Sequence, residues 1–158
     1  MFKIIVFFIF LMIPIFSKTI HFYEEKYYDA LEKTFTQEGK ITFAGEKIQI
    51  IYDNNTTLTY TGDFLYTEKN GKVKKVNLDK KPAVKMFFLL FEAIYFNKNE
   101  VLKRYFTSEN LKDTVVLTAK ENISRYIHTV RYRKTKNSLD FLNIELTNND
   151  WVRIEEHH

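Results

Sequence analysis

The stretch PAVKMFFLLFEAIYF, from Pro82 to Phe96, sets the main constraint on the fold. Proline is favoured at the first position of a helix, because its missing N–H would have no partner there. Lys85 and Glu92 are the only charges in this stretch, so apolar side chains nearly encircle the predicted helix. A small domain has little room to bury a helix on all sides. The helix is therefore expected to line an apolar cavity, or to have its outer side covered by a second partner.

The residues before this helix follow the two-residue period of β-strands. Ile48, Ile50 and Tyr52 alternate with polar residues, although Ile51 falls outside the pattern. An Asn-Gly pair at residues 70–71 is a strong signal for a tight hairpin between two strands. Together these signals predict a meander of short strands over residues 40–44, 47–52, 57–60, 64–68 and 72–78.

The rest of the chain predicts two more helices and a second group of strands. Residues 20–36 carry apolar side chains at three- and four-residue spacings, so a helix that packs Leu31 and Phe35 inward is expected. A short helix is predicted over residues 100–106. Strands are predicted over residues 114–118, 124–133, 139–146 and 151–155. About nine antiparallel strands would curl into a partial barrel, so the predicted fold class is α+β, mainly β, with about three helices across its mouth.

The amino terminus has the pattern of an export signal. Lys3 precedes an uninterrupted apolar run from Ile4 to Phe16, which is shorter than the ~20 residues of a membrane-spanning helix. Pro14 ends the helical part of the run, and Ser17 is small enough to precede a cleavage site. We therefore expect residues 1–17 to be a cleaved signal peptide and residues 18–158 to form a single domain. An uncleaved amino-terminal anchor is the alternative.

The sequence lacks the common signatures of catalysis. It contains no cysteine, and its four glycines form no phosphate-binding loop. No serine lies in a Gly-x-Ser-x-Gly turn, and no histidine has the spacing of a metal site. Its 24 basic and 20 acidic residues make a mixed surface, which does not favour nucleic acid as a partner. We expect no enzymatic activity, no catalytic residue, no cofactor and no metal.

The order of these elements resembles the LolA/LolB-like periplasmic lipoprotein carriers. The resemblance includes a Phe-x-Gln signature at residues 35–37, the hairpin at Asn70-Gly71 and the apolar helix that begins at Pro82. It continues in the Leu-x-x-x-Phe pattern from Leu102 to Phe106 and in the closing strands. The chain departs from the family where threonine stands at residue 59 in place of an arginine.

This resemblance implies a half-open antiparallel β-barrel whose helices form a lid over an apolar cavity. Such carriers hold the acyl chains of lipoproteins while these cross the periplasm, between an inner-membrane donor complex and an outer-membrane acceptor. The LolB-like branch is anchored to lipid through an amino-terminal cysteine. Because this chain has no cysteine, the resemblance is to the soluble LolA-like branch, and a periplasmic monomer is expected.

Alternation along the strands and the helix gives the candidate lipid-binding residues. They are Ile50, Tyr52, Leu58, Tyr60, Phe64, Tyr66, Phe87, Leu90, Phe91 and Ile94. One alternative function is an envelope protein-binding module without a ligand cavity, whose apolar helix docks on a membrane partner. A second alternative is a lipid hydrolase, which would need a serine within reach of His128.

Overall fold

The computed structural model describes residues 17–157, which form one antiparallel sheet of eleven strands and two α-helices. The strands are β1 (Ser17–Tyr28), β2 (Lys33–Ala44), β3 (Lys47–Tyr52), β4 (Thr56–Tyr60), β5 (Phe64–Lys69), β6 (Lys72–Asn77), β7 (Phe106–Leu111), β8 (Thr114–Ala119), β9 (Ile127–Lys134), β10 (Leu139–Leu146) and β11 (Trp151–His157). The helices are α1 (Pro82–Tyr95) and α2 (Asn99–Tyr105), and 3₁₀ turns cover Asp29–Leu31 and Leu78–Lys80. All but the last residue of the predicted export signal lies outside the described residues.

Two meanders meet in the middle of the sheet. The strand order is β6-β5-β4-β3-β2-β1-β11-β10-β9-β8-β7, so the first and last strands are neighbours. They pair from His21 opposite His157 to Tyr27 opposite Trp151. Both helices belong to the connection between β6 and β7, the two end strands, which do not pair with each other within residues 17–157. The sheet is therefore open, and the predicted α+β, mainly β class is confirmed.

Several predicted elements are confirmed. The Asn-Gly pair joins β5 to β6, and the backbone φ angles of Asn70 (51°) and Gly71 (73°) are both positive, as a tight hairpin turn of this kind requires. Pro82 begins α1, and α2 begins at Asn99, three residues after Phe96. These features were predictable because local chemistry alone determines them.

The predicted helix over residues 20–36 is wrong. This segment forms β1, a 3₁₀ turn and the start of β2, with Glu32 in the left-handed region at φ 48°. Ile20 and Phe22 are buried on the same face of the sheet as Ile41. The segment therefore follows the two-residue period of a strand, although its apolar residues also fit a helical spacing. Leu31 and Phe35, predicted to pack inward, are 59% and 46% exposed. Pairing on both sides of β1 overrides the local periodicity.

The predicted numbers of strands and helices are also wrong. The sheet gains β1 and β7 relative to the nine strands expected, and the described residues contain two α-helices where about three were expected. Strand β7 was missed because its sequence, FTSENL, is largely polar and only Phe106 is buried. This composition suits an end strand that faces solvent, and it carries little alternation.

The core lies between α1 and one face of the sheet, which we call the inner face. Ile41 of β2, Leu117 of β8 and Ile154 of β11 are fully buried on it. Phe43, also on this face, stacks on Phe91 of α1 with 5.5 Å between ring centroids. Residues from both meanders and from α1 therefore belong to one apolar core.

Candidate functional site

An apolar cavity of about 230 Å³ lies between the amino-terminal half of α1 and the inner face. Its walls come from four regions of the chain and include two charged residues. They are Glu24 and Lys26 of β1, Ile50, Tyr52, Leu58 and Leu65 of β3–β5, Ala83, Val84, Phe87 and Phe88 of α1, and Ile127, Ile144, Leu146 and Val152 of β9–β11. All of the others are aliphatic or aromatic, so the space suits a hydrocarbon chain better than a polar ligand.

Strand pairing places the sheet residues of the cavity. Ile50 pairs with Leu58 across β3 and β4, so both side chains point to the inner face. On α1, Val84, Phe87 and Phe88 recur at three- and four-residue spacings, which brings them onto one side of the helix. Val84 and Phe87 remain partly exposed at the cavity, whereas Phe88 is buried.

Four of the predicted lipid-binding residues line this cavity: Ile50, Tyr52, Leu58 and Phe87. Tyr60 lies beside it, where its ring stacks on Phe88 with 4.7 Å between centroids and an angle of 7°. The other three helix residues, Leu90, Phe91 and Ile94, are fully buried in the core rather than at the cavity. The lipid-binding role of all these residues stays a prediction.

The predicted placement of Phe64 and Tyr66 is wrong. Tyr60 pairs with Leu65, so Leu65 faces the cavity and its two neighbours point to the outer face. There the Lys75 ammonium lies 3.8 Å from the Phe64 ring centroid and 5.5 Å from that of Tyr66. Residues 64–66 are all apolar, so the sequence does not determine whether residue 65 or its two neighbours face inward. A shift of one residue inverts the assignment.

Sequence reasoning missed a buried polar cluster at the cavity wall. Glu24 is 2% exposed, and its carboxylate lies 2.9 Å from Lys26 Nζ. The Tyr52 hydroxyl donates to Glu24 Oε1 at 3.3 Å, and Gln37 Nε2 donates to the same oxygen at 3.5 Å. Burial and the negative charge of Glu24 raise the pKa of Tyr52. The signal was the alternation Ile20-x-Phe22-x-Glu24, which the helical interpretation hid.

The two ends of α1 are held by different interactions. At the carboxyl end, Lys134 Nζ donates to the backbone oxygens of Ile94 (3.2 Å) and Tyr95 and to Asn97 Oδ1 (3.1 Å). Burial, and secondarily the charge of Lys18, lower the pKa of Lys134.

At the amino-terminal end, Lys85 Nζ lies 3.0 Å from Asp63 Oδ1 and 3.1 Å from Asp79 Oδ1. Its hydrogen bonds to Asp63 and then to Asp79 raise the pKa of Lys85. Both aspartates are largely exposed. The carboxyl end is thus fixed by a half-buried donor, and the amino-terminal end by exposed ion pairs.

The residues that could support catalysis lie elsewhere. His128 is exposed, on the outer face of β9. Ser124, the serine nearest to it in sequence, donates its hydroxyl to the backbone oxygen of Glu121 at 3.2 Å. Residues 17–157 contain no group of three or more histidine, aspartate or glutamate side chains placed to hold a metal ion.

No helix in the described part of the chain has both the length and the apolar content to cross a membrane.

No protein-family model matches the sequence. No curated protein matches it either. A similar solved structure is that of LppX, a lipoprotein of Mycobacterium tuberculosis, with a TM-score of 0.43 and 10% sequence identity. The alignment covers 88% of this chain and 84% of the LppX chain.

Proposed function

We propose that this protein is a carrier that holds acyl chains of lipoproteins or other lipids in its apolar cavity, without catalysing a reaction. The observation that carries this proposal is the cavity between α1 and the inner face, whose walls are almost entirely hydrocarbon. Export to the periplasm, monomeric action and transfer from an inner-membrane donor to an outer-membrane acceptor are parts of the same proposal. They are supported by the amino-terminal sequence and by the resemblance to LolA-like carriers.

The physical task of such a carrier matches the composition of the site. Each methylene group of an acyl chain costs ~0.8 kcal/mol when it is exposed to water, so a lipid does not cross an aqueous space unaided. The apolar walls remove that cost without a chemical step. The charged groups at the wall pair with each other, with 2.9 Å between Lys26 Nζ and Glu24 Oε1. They therefore do not present unsatisfied charges to the chain.

The size of the cavity implies that α1 moves when the carrier is loaded. Its volume of about 230 Å³ is below the ~300–1,000 Å³ of typical small-molecule sites. It accommodates the end of one chain, and more of the lipid enters when the amino-terminal half of α1 lifts from the sheet. Exposed ion pairs contribute ~0–1 kcal/mol, so Lys85 opposes this movement weakly. The three acceptors of Lys134 keep the carboxyl end in place.

The burial of α1 favours the carrier over a docking module. A helix that docks on a membrane partner needs exposed aromatic rings, yet Phe88 and Tyr95 both face the sheet, where they stack on Tyr60 and Phe43, and they are 2% and 5% exposed. Phe96, directly after the helix, is 44% exposed. One exposed ring gives a smaller apolar surface than a docking helix needs.

The proposal is tested with protein purified from a periplasmic extract. Mass spectrometry of the extracted lipids should find acylated species, and the delipidated protein should bind a fluorescent fatty-acid analogue. Phe87→Asp should abolish probe binding because it places a charge at the cavity wall. The matched control is Phe64→Asp, on the outer face, which should leave binding unchanged. Recovery of no acyl lipid, together with no probe binding by the wild type, would refute the carrier.

A further inference from the structure

The charged pair at the cavity wall lies where a lipid bound in the cavity would place its polar group. Glu24, Lys26 and Tyr52 all line the same cavity as Ile50 and Phe87. A chain that fills the apolar part of this cavity leaves its head where the walls become polar. These three side chains are therefore the ones that meet the first polar atoms of a bound lipid.

The carboxylate of Glu24 is already supplied with donors. Tyr52, Gln37 and Lys26 all lie within hydrogen-bond distance of Glu24 Oε1. With the side chain 2% exposed, its charge is balanced inside the protein. Glu24 has little capacity left for a ligand.

The ammonium of Lys26 retains donors for a ligand. An ammonium carries three N–H groups, and Glu24 accepts from this one at 2.9 Å. Its side chain is 27% exposed, so the remaining N–H groups are accessible from the cavity and from solvent. Lys26 is thus a hydrogen-bond donor whose positive charge is already compensated.

We infer that this cluster selects lipids whose polar group next to the acyl chain is uncharged, such as the ester carbonyl and hydroxyls of an acylglycerol. The inference rests on the proposed carrier function. A carbonyl oxygen accepts from Lys26 without bringing a second charge into the cavity. A carboxylate in the same place would be attracted by Lys26 but repelled by Glu24, whose carboxylate lies 2.9 Å from that ammonium, and it would also lose its hydration. An alkylammonium head would be repelled by Lys26.

Binding of three lipids with the same chain length tests this selectivity. Monoacylglycerol, free fatty acid and alkylamine compete at neutral pH against a bound fluorescent probe on the delipidated protein. The wild type should bind monoacylglycerol about tenfold or more tightly than the fatty acid, since Glu24 already compensates the charge of Lys26 and the carboxylate would lose its hydration without a net attraction in return. Glu24→Gln should strengthen fatty-acid binding about tenfold or more and leave monoacylglycerol nearly unchanged, because Lys26 is then an unpaired cation.

Two further variants separate charge selection from a change in folding. Glu92→Gln removes a carboxylate from the Lys98 ion pair, which lies away from the cavity, and it should leave the affinity ratio of the two lipids unchanged. Glu24→Gln combined with Lys26→Gln leaves no charge at the wall. The double variant should therefore lack the increase in fatty-acid affinity that Glu24→Gln alone produces. Equal or tighter binding of fatty acid by the wild type, or a ratio that Glu24→Gln does not change, would overturn the inference while the carrier function stands. Failure of the wild type to bind any of the three lipids would instead refute the carrier function.

Discussion

The two halves of α1 share one apolar sequence but differ in how they are packed. In the carboxyl half, Leu90, Phe91 and Ile94 are at most 1% exposed, and Phe43 stacks on both Phe91 and Tyr95. In the amino-terminal half, three of the helix residues that line the cavity, Ala83, Val84 and Phe87, remain partly exposed. The half without a cavity contributes the larger share of stabilising contacts, because each buried methylene is in van der Waals contact on all sides.

This difference assigns the opening that the proposed carrier function needs to the amino-terminal half of α1. The carboxyl half is fixed by packing and by the three acceptors of Lys134. The amino-terminal half is held by the stacking of Phe88 on Tyr60 and by the exposed ion pairs of Lys85. A helix that is anchored at one end and only lightly held at the other can open by rotating about its anchored end.

Truncation of a phenylalanine in each half gives the largest expected contrast. Phe91→Ala should lower the free energy of unfolding by about 3–5 kcal/mol, because it leaves a hole among fully buried neighbours. Phe87→Ala should cost about 1–2 kcal/mol, since its ring is partly exposed and already faces a cavity. Denaturant unfolding of both variants measures the difference. Equal losses of stability would show that the two halves are packed alike.

Some parts of this comparison were predictable from the sequence. Pro82 and the apolar run predicted α1, and alternation placed Ile50 and Leu58 at the cavity. Those features depend on residues that are close together in the chain. Which half of α1 faces a cavity depends on how both meanders pack against the helix, and periodicity carries no information on that point. The candidate list therefore mixed cavity residues such as Phe87 with core residues such as Phe91.

Other parts required pairing partners that the sequence does not reveal. The segment that became β1 reads as an amphipathic helix, and only its neighbours β2 and β11 impose the strand. That error left Glu24 out of the candidate residues, although the structure buries it at the cavity wall. Similarly, the pairing of Leu65 with Tyr60 determines which side chains of β5 face inward, and the apolar residues of β5 alone do not.

Removal of the cation at each end of α1 should have unequal effects. Lys134→Met deletes a half-buried donor with three acceptors at the carboxyl end, and it should cost about 2–3 kcal/mol of unfolding free energy. Lys85→Met removes ion pairs with largely exposed aspartates and should cost less than about 1 kcal/mol. Chemical denaturation gives both values.

Ligand kinetics add a second readout for the same pair of variants. Lys85→Met should speed the uptake of a fluorescent fatty acid about 2–5-fold, since opening no longer breaks those ion pairs. If Lys134→Met speeds uptake more than Lys85→Met does at equal occupancy of the folded state, the carboxyl end is the end that opens.

Alkaline pH tests the cavity side of the comparison through the Tyr52 hydroxyl. Burial, followed by the charge of Glu24, raises the pKa of Tyr52 above its ordinary value of 10.0. The folded state therefore keeps this proton where the unfolded state loses it, so the stabilisation is complete below pH 10 and declines as the pH rises above that value.

Tyr52→Phe should cost about 1.5–2 kcal/mol at neutral pH through the lost hydrogen bond to Glu24, and it should flatten the alkaline decline. Urea unfolding of both proteins across this pH range measures the two slopes, with Tyr66→Phe on the outer face as the control. Identical slopes for the wild type and Tyr52→Phe would mean that the Tyr52 phenol is as free to ionise in the folded state as in the unfolded chain, and the cavity would then be open to water at its polar wall.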